Sequence, residues 1–290
     1  MTASSVHLSF EIFPPKTAAA ADVLHAALAD LAALQGRFLS ITSGAGGGTP
    51  GASAEHAISL GALARMPARP HLTCVQGSRG EIEATVTAYL DHGITQFVAL
   101  RGDSPAPDGR YHPRADGFTF PDALVAALKG WGAADVAVGA YPEVHPEAPD
   151  EAACLAYLQA KVDAGADRIL TQYCFETDTI LRWRDRVVAA GIDVPIGVGI
   201  MPIGHFPQIK RFSERCGAGV PDWLARRFAG LEPGSPEAHA VAVEIAAEQC
   251  ARLVAGGMTH LHVYTLNKSA LTLALVRALE AEPLAFRWAA

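Results

Sequence analysis

Short apolar runs alternate with longer amphipathic stretches along the whole chain, a pattern that predicts strands alternating with helices. The predicted strands are Leu8–Phe13, Phe38–Thr42, His71–Val75, Gln96–Arg101, Val136–Tyr141, Arg168–Gln172, Pro195–Ile200 and His260–Tyr264. The predicted helices are Ala18–Leu34, Ala54–Arg65, Glu81–His92, Pro121–Lys129, Glu151–Ala164, Asp178–Ala190, Phe206–Cys216, Val220–Phe228, Glu237–Ala255 and Ser269–Leu279. Eight such strand–helix units predict an α/β fold, a single (β/α)8 TIM barrel domain over residues 1–290. A doubly wound open sheet is the alternative.

Composition excludes several classes of partner. The 290 residues are 50% hydrophobic and carry a net charge of -7, which argues against nucleic acid or an anionic membrane as partner. Met1–Ser5 begin no secretory signal, and no apolar run reaches the ~18 residues of a membrane span. Five scattered cysteines without a CxxC motif indicate reduced thiols. We therefore expect a cytoplasmic protein.

A barrel predicts where the chemistry lies, because active sites of this fold occupy the carboxyl ends of the strands. The polar residues at those predicted ends are Glu11, Thr42, Thr73, Arg101, Asp103, Tyr141, Glu143, His145, Gln172, Tyr264 and Asn267. With these boundaries, His71 lies at the opposite end of its strand.

The acid of the first strand is the strongest single candidate. Glu11 lies within the apolar string SFEIFPPK, which ends at two prolines. Burial of a carboxylate disfavours its charged form, so we expect a raised pKa and a general acid. The alternative is a structural glutamate paired with an arginine elsewhere.

Several strings in the chain together resemble the methylenetetrahydrofolate reductase family. They are SFEIFPPK, HLTC, ALRGD, AYPEVHPEA, KVDAGADRILTQ and YTLN, in the family's order and over nearly the whole chain. The resemblance implies an FAD-binding (β/α)8 barrel that reduces 5,10-methylenetetrahydrofolate to 5-methyltetrahydrofolate, in one-carbon metabolism and methionine biosynthesis. NADH or NADPH would reduce the flavin and leave before folate binds, a ping-pong order.

The same resemblance assigns roles to individual residues. Glu11 would be the general acid, and Asp103 would stabilise the cationic folate intermediate. The implied FAD contacts are Thr42, Ser43, Ala45, His71, Arg101, Gly102, Asp103, Tyr141, His145 and Lys161. The implied substrate contacts are Glu11, Asp103, Gln172, Gln208, Phe212, Tyr264 and Lys268.

Each role has a plainer alternative. Asp103 could form a turn after glycine, and Gln172 could bond only to backbone. His145 could be an ordinary loop histidine. Phe212 could be an apolar helix position, and Lys268 could be solvated.

Other motifs carry little weight. The glycines of Gly44–Gly48 lack the GxGxxG spacing of a dinucleotide fold, and Arg-Gly-Asp is not read as a recognition motif. His260 and His262 share a strand face without a convincing third ligand, so no metal is expected.

The match to the family departs at positions that bear on ligands. An aromatic is replaced by Ser43, an acidic FAD contact by Cys154, a proline by Val198 and an arginine by Lys268, and a charged segment by Gly48–Ser53. Lysine lacks the planar fork for bidentate carboxylate binding.

Two rival functions remain open at this point. One is a flavin-free barrel that binds folate for a methyltransferase partner, and the other is a metal-dependent aldolase. A homo-oligomer is expected.

Overall fold

A closed ring of eight parallel strands forms the centre of the molecule. The computed structural model describes residues 5–42, 50–103, 111–281 and 287–288. The strands of the ring are β1 Ser5–Ile12, β2 Leu39–Ile41, β3 Ala68–Thr73, β4 Gln96–Leu100, β5 Asp135–Ala140, β6 Arg168–Thr171, β7 Ile196–Ile200 and β8 His260–Tyr264. Neighbours pair in chain order from β2 to β8, β8 pairs with β1, and β1 pairs with β2. The predicted barrel is therefore confirmed, and the open sheet is excluded.

Helices follow the strands and cover the outside of the barrel. They are α1 Ala18–Ala32, α2 Pro50–Ala64, α3 Arg79–Asp91, α4 Pro121–Gly130, α5 Glu151–Asp163, α6 Thr177–Ala189, α7 Phe206–Cys216, α8 Asp222–Phe228, α9 Pro236–Ala255 and α10 Ala270–Ala281. Thr17 caps α1 by accepting from the Ala20 amide, and Asp150 caps α5 in the same way from Ala153. Within the described ranges, no helix has the length and apolar character needed to cross a bilayer.

The third strand begins earlier than predicted. Its pairing with β2 includes Ile41 opposite Pro70, so β3 starts at Ala68 and continues through the proline. Pro70 lacks an N–H for the ladder, yet the strand includes it. The predicted position of His71 is wrong as a result: it is the fourth residue of β3, near the carboxyl end.

A short additional strand was not predicted. Strand β9, Arg287–Trp288, runs parallel to the start of β1 and pairs with Ser5 and Val6. This pairing lies at the amino end of β1 and therefore away from Glu11.

Alternate strand residues pack on opposite sides of the ring. Phe10 on β1 is buried in the large apolar cluster that also contains Leu24 and Leu28 of α1. A separate small cluster inside the ring joins Phe38, just before β2, to one residue each of β4, β5 and β6: Val98, Ala137 and Leu170. The helices thus pack on one face of each strand, and the other face supplies the barrel interior.

Paired charges fill the amino-terminal end of the barrel. Arg69 is 1% exposed, and it donates to Asp135 at 2.5 Å and to Gln96 at 2.8 Å. Its guanidinium lies 4.4 Å from the ring centre of Phe38, and Arg168 bonds to Asp135 as well. A buried cation is tolerated when its donors are paired in this way. The opposite, carboxyl-terminal end remains for ligands.

Candidate active site

Three strands bring ionisable groups together at the carboxyl end of β1. The Oε2 atom of Glu11 lies 3.4 Å from His71 Nε2 on β3 and 3.5 Å from His262 Nε2 on β8. Ser40 on β2 donates to the same oxygen at 3.3 Å. Both imidazoles are buried, while the Glu11 side chain keeps 19% of its surface exposed. A ligand at the mouth of the barrel can therefore reach the carboxylate from one side.

The charge state of Glu11 differs from the expected one. Burial raises its pKa, but the charge of His71 and hydrogen bonds from both histidines outweigh burial and lower the pKa from 4.5 to about 2. The predicted upward shift in the pKa of Glu11 is wrong because His71 and His262 face the carboxylate and favour its charged form, whereas the prediction assumed apolar surroundings. Glu11 is an ionised carboxylate at neutral pH in this structure, so it must gain a proton before it can act as an acid.

His262 itself stays neutral at neutral pH. Burial lowers its pKa, and the nearby Glu11 carboxylate only partly opposes that shift. The pKa of His260, deeper in the barrel, falls to about 3 through burial and the neighbouring charges.

A second group of polar side chains lies at the ends of β5 and β6. The ring centres of Tyr141 and His145 are 4.6 Å apart in an edge-to-face arrangement. Burial raises the pKa of Tyr141, and a hydrogen bond with Gln172 partly offsets the rise. The side-chain oxygen of Gln172, Oε1, also accepts from the Tyr173 backbone amide. Gln172 therefore has both a side-chain and a backbone partner.

Two cations lie near this group. Lys161 on α5 is half-buried and donates to the Gly139 carbonyl at 2.5 Å, and desolvation lowers its pKa from 10.5 to about 8. No carboxylate in the described part of the chain forms an ion pair with it. Arg101, in contrast, forms a two-pronged pair with Glu147, with both distances 2.7 Å. Lys161 is thus the cation without an anionic partner among these residues.

The turn after β4 needs a glycine. Gly102 has φ of +86°, and a Cβ there would lie 2.5 Å from Val75 and 2.9 Å from Thr73. Glycine is therefore required at this position by the turn itself, apart from the predicted contact of Gly102 with FAD. Asp103, the next residue, is exposed, as expected of a side chain available to a ligand.

Helix α7 carries two of the predicted substrate residues. Gln208 is exposed, and Phe212 is half-buried and packs on the second apolar cluster. The Glu143 carboxylate accepts from the Gly219 amide at 3.0 Å, which ties the loop after β5 to the segment after α7.

The end of β8 holds the end of β1 in place. Thr265 donates its hydroxyl to the Glu11 carbonyl at 2.8 Å, and Asn267 bonds to both the amide and the carbonyl of Phe13. The Tyr264 hydroxyl donates to the Thr171 carbonyl at 2.8 Å. Lys268 is exposed. These bonds fix the backbone that carries Glu11.

Only one of the three FAD contacts predicted after β2 lies within the described residues. Thr42 is half-buried, and its amide bonds to the Ile12 carbonyl at 2.9 Å. Ser43 and Ala45 lie outside the described residues. Cys154, which replaces the expected acid, is half-buried on α5 and accepts from the His145 amide at 3.4 Å.

Sequence reasoning missed Ser40 and His262 as partners of Glu11. Both lie next to it in the parallel register. Ser40 is directly opposite Glu11 on β2, and His262 lies two residues before Tyr264, the residue opposite Glu11 on β8. The signal was present in β8, where polar residues recur at every second position: His260, His262 and Tyr264. No metal site was expected at His260 and His262 and no partners were predicted for them, and the structure gives these partners as Ser9 and, for His262, Glu11.

The fold and the cluster define the class of protein. A (β/α)8 barrel with an ionised acid and two imidazoles at the carboxyl ends of its strands has the architecture of a barrel enzyme. A sequence model of the family "Methylenetetrahydrofolate reductase" matches residues 1–280. The chain belongs to the methylenetetrahydrofolate reductase family.

Curated relatives agree with the family match. The chain is 37% identical over 280 residues to 5,10-methylenetetrahydrofolate reductase of Salmonella typhimurium, covering 96% of this chain and 92% of that protein. Identity to the Escherichia coli enzyme of the same name is 38% with the same coverage. A probable methylenetetrahydrofolate reductase (NADH) of Oryza sativa is 34% identical, over 91% of this chain and 46% of that protein. These relatives support a folate oxidoreductase of one-carbon metabolism.

A solved structure of another protein shares the fold. It is an uncharacterized protein from Clostridium thermocellum that binds two copies of 5-methyl-5,6,7,8-tetrahydrofolic acid. The TM-score is 0.65 at 13% identity, with 96% of this chain and 95% of that chain covered. At this identity the likeness concerns the fold.

Proposed function

We propose that this chain is an FAD-dependent methylenetetrahydrofolate reductase that reduces 5,10-methylenetetrahydrofolate to 5-methyltetrahydrofolate with NADH or NADPH, by a ping-pong order. The observation that carries the proposal is the position of Glu11, beside two imidazoles at the mouth of a barrel that belongs to this family. FAD, when bound, supplies the redox chemistry between the nicotinamide and the folate.

The residues present fit FAD by the chemistry of their donors. Lys161 offers an ammonium that forms no ion pair with a described carboxylate, which suits a diphosphate. Tyr141 and His145 offer aromatic faces and polar edges nearby, and His71, Thr42 and Asp103 would complete the site. Arg101 would have to exchange or share its Glu147 partner to reach the same anion.

Glu11 would supply the proton that opens the one-carbon bridge of folate. Protonation of one nitrogen of the bridge lets its bond to the bridge carbon break, and the bond electrons stay on that nitrogen. The lone pair of the other nitrogen then forms a double bond to the bridge carbon, which leaves an iminium cation. The carboxylate is ionised in this structure, so folate must bring it to the protonated form first. A folate that covers the exposed 19% of the side chain excludes water and raises the pKa of Glu11, which favours that form.

Other side chains would position the folate and its charge. Asp103, exposed beyond Gly102, can place a negative charge near the cationic intermediate. Gln172 offers a donor and an acceptor that suit a nicotinamide carboxamide or a pterin edge in turn. Phe212 offers an aromatic face, and Gln208 and Lys268 are exposed polar groups for the folate tail.

The experiment that tests the function follows the flavin. Purified protein should show a flavin absorption spectrum that NADH or NADPH bleaches anaerobically and that methylenetetrahydrofolate then restores, with 5-methyltetrahydrofolate as product by mass spectrometry. Colourless protein that binds folate would instead support the flavin-free barrel. A flavin that is reduced but never reoxidised by folate would refute the proposed substrate.

A further inference from the structure

A row of buried polar side chains runs through the barrel interior behind Glu11. Ser9 on β1 lies between His260 and His262 on β8, with its Oγ 2.9 Å from His260 Nε2 and 2.7 Å from His262 Nδ1. The parallel register places Ser9 beside His262 and Glu11 beside Tyr264. Ser9 and His262 are 0% exposed and His260 is 7% exposed, so these groups must satisfy one another.

The hydrogens of this row can be arranged in one consistent direction. A serine hydroxyl has a single hydrogen, so Ser9 donates to one imidazole and accepts from the other. The far nitrogen of His262, Nε2, faces Glu11 Oε2 at 3.5 Å and Ser40 Oγ at 3.4 Å. An ionised carboxylate only accepts, so a bare lone pair on Nε2 would repel it.

We propose that His262 is a positioning residue for Glu11, and that Ser9 fixes the neutral tautomer in which the His262 Nε2–H faces the Glu11 carboxylate. In this arrangement His260 Nε2–H donates to Ser9, Ser9 donates to His262 Nδ1, and His262 Nε2–H points to Glu11. The inference rests on the proposed acid role of Glu11 for its functional meaning, and the geometry is independent of that role.

Other groups also face Glu11 and limit the size of the effect. His71 on β3 lies 3.4 Å away, and Ser40 on β2 donates at 3.3 Å. Tyr264 on β8 is the register partner of Glu11, and burial and the Glu11 charge raise the pKa of its phenol. Arg69 acts on His262 from deeper in β3. Loss of His262 alone should therefore raise the pKa of Glu11 only in part, since His71 and Ser40 still stabilise the carboxylate.

The tautomer can be measured without any change to the protein. Long-range ¹H–¹⁵N NMR of ¹⁵N-histidine-labelled protein, as purified and without folate, reports which ring nitrogen carries hydrogen. The His262 signal is assigned by its loss in His262→Gln. We expect a neutral ring with hydrogen on Nε2 at pH 7. Hydrogen on Nδ1, or a doubly protonated ring, overturns the proposal.

Two serine variants separate the specific contact from general core damage. Ser9→Ala removes the hydroxyl that donates to Nδ1, so that only Glu11 still favours hydrogen on Nε2, and a measurable share of the Nδ1–H tautomer should appear. Ser213→Ala removes another fully buried serine, bonded to Tyr173, and should leave the His262 signals unchanged. An unchanged tautomer in folded Ser9→Ala would contradict the role of Ser9.

The effect on Glu11 is read from its own titration. In ¹³C-glutamate-labelled protein, His262→Asn keeps an amide near the Nδ1 position but lacks a donor at Nε2, and should raise the pKa of Glu11 by about one unit. His262→Gln places an amide donor near the Nε2 position and should keep that pKa low. Equal titration of Glu11 in wild type and folded His262→Asn would overturn the proposal.

The pH profile gives a further discrimination in the working enzyme. A higher pKa of Glu11 in His262→Asn keeps the acid protonated to higher pH. The alkaline limb of the pH–rate profile for folate reduction should therefore move to higher pH, by about as much as the pKa of Glu11 rises. A purely structural role for His262 would lower the rate without moving the limb. Since the NMR tests need no folate, their failure would leave the proposed reductase activity standing, whereas lack of folate reduction would not affect the tautomer result.

Discussion

Glu11 Oε2 lies 3.4 Å from His71 Nε2, a contact that links the first and third strands across the mouth of the barrel. The charge of His71, with His262 beside it, stabilises the Glu11 anion more than burial destabilises it. Glu11 is therefore deprotonated at neutral pH in this structure. Ligand binding must provide the conditions in which Glu11 takes up a proton and then donates it.

The acid role predicts a selective loss of folate chemistry. Glu11→Gln removes the ionisable proton but keeps the shape, so reoxidation of reduced flavin by methylenetetrahydrofolate should slow by about 10²–10⁴-fold. Flavin content and reduction by nicotinamide should change little, as measured by anaerobic stopped-flow absorbance. Glu83→Gln, an exposed change on α3, is the matched control. Full folate activity in Glu11→Gln would refute the assignment.

Lys161 predicts a charge-dependent flavin affinity. Lys161→Met removes a charge-assisted bond worth about 1.5–3 kcal/mol, so FAD should bind roughly 10–100-fold more weakly. The flavin-free protein should be no less stable, because a desolvated ammonium is gone. Wild-type affinity should also decline above about pH 8, where Lys161 loses its proton. Fluorescence titration measures both effects, with the exposed Lys210→Met as control; unchanged affinity in Lys161→Met would exclude the contact.

Glu147 is expected to compete with a bound anion for Arg101. The pair is bidentate but partly exposed, with side chains 23% and 39% accessible, so it contributes about 0–1 kcal/mol. Glu147→Gln should free Arg101 and strengthen FAD binding by up to about 5-fold, measured by calorimetry. Glu244→Gln, which breaks another exposed pair with Arg227, should have no such effect. Weaker binding in Glu147→Gln would instead place Glu147 among the residues that favour the flavin.

His260 predicts acid sensitivity of the fold. Its pKa falls from 6.5 to about 3 on folding, so between these pH values the unfolded chain binds more protons. The free energy of unfolding should therefore decrease as pH falls from 6.5 to 3, by at most about 1.4 kcal/mol per pH unit from this residue. Denaturant titrations of His260→Asn should show a flatter dependence in that window, and the exposed His56→Asn should not. An identical slope in His260→Asn would contradict this account.

Much of the architecture could be predicted because it depends on local pattern. Apolar strand runs, helix caps such as Asp150 and the count of strand–helix units are all encoded within short stretches. The predicted start of β3 at His71 was wrong, since ladder pairing with β2 includes Pro70 and the strand begins at Ala68. That single boundary reversed the predicted location of His71.

By itself the sequence determined the barrel, because periodicity and strand order are local properties. It also predicted that the chemistry lies at the carboxyl ends of the strands, with Glu11 as the candidate acid. Only the tertiary structure decided that Glu11 is ionised, that His71 and His262 are its partners and that Arg101 is engaged by Glu147. A pKa depends on charges and donors within a few ångströms. Barrel closure and strand register bring those groups together from distant parts of the chain.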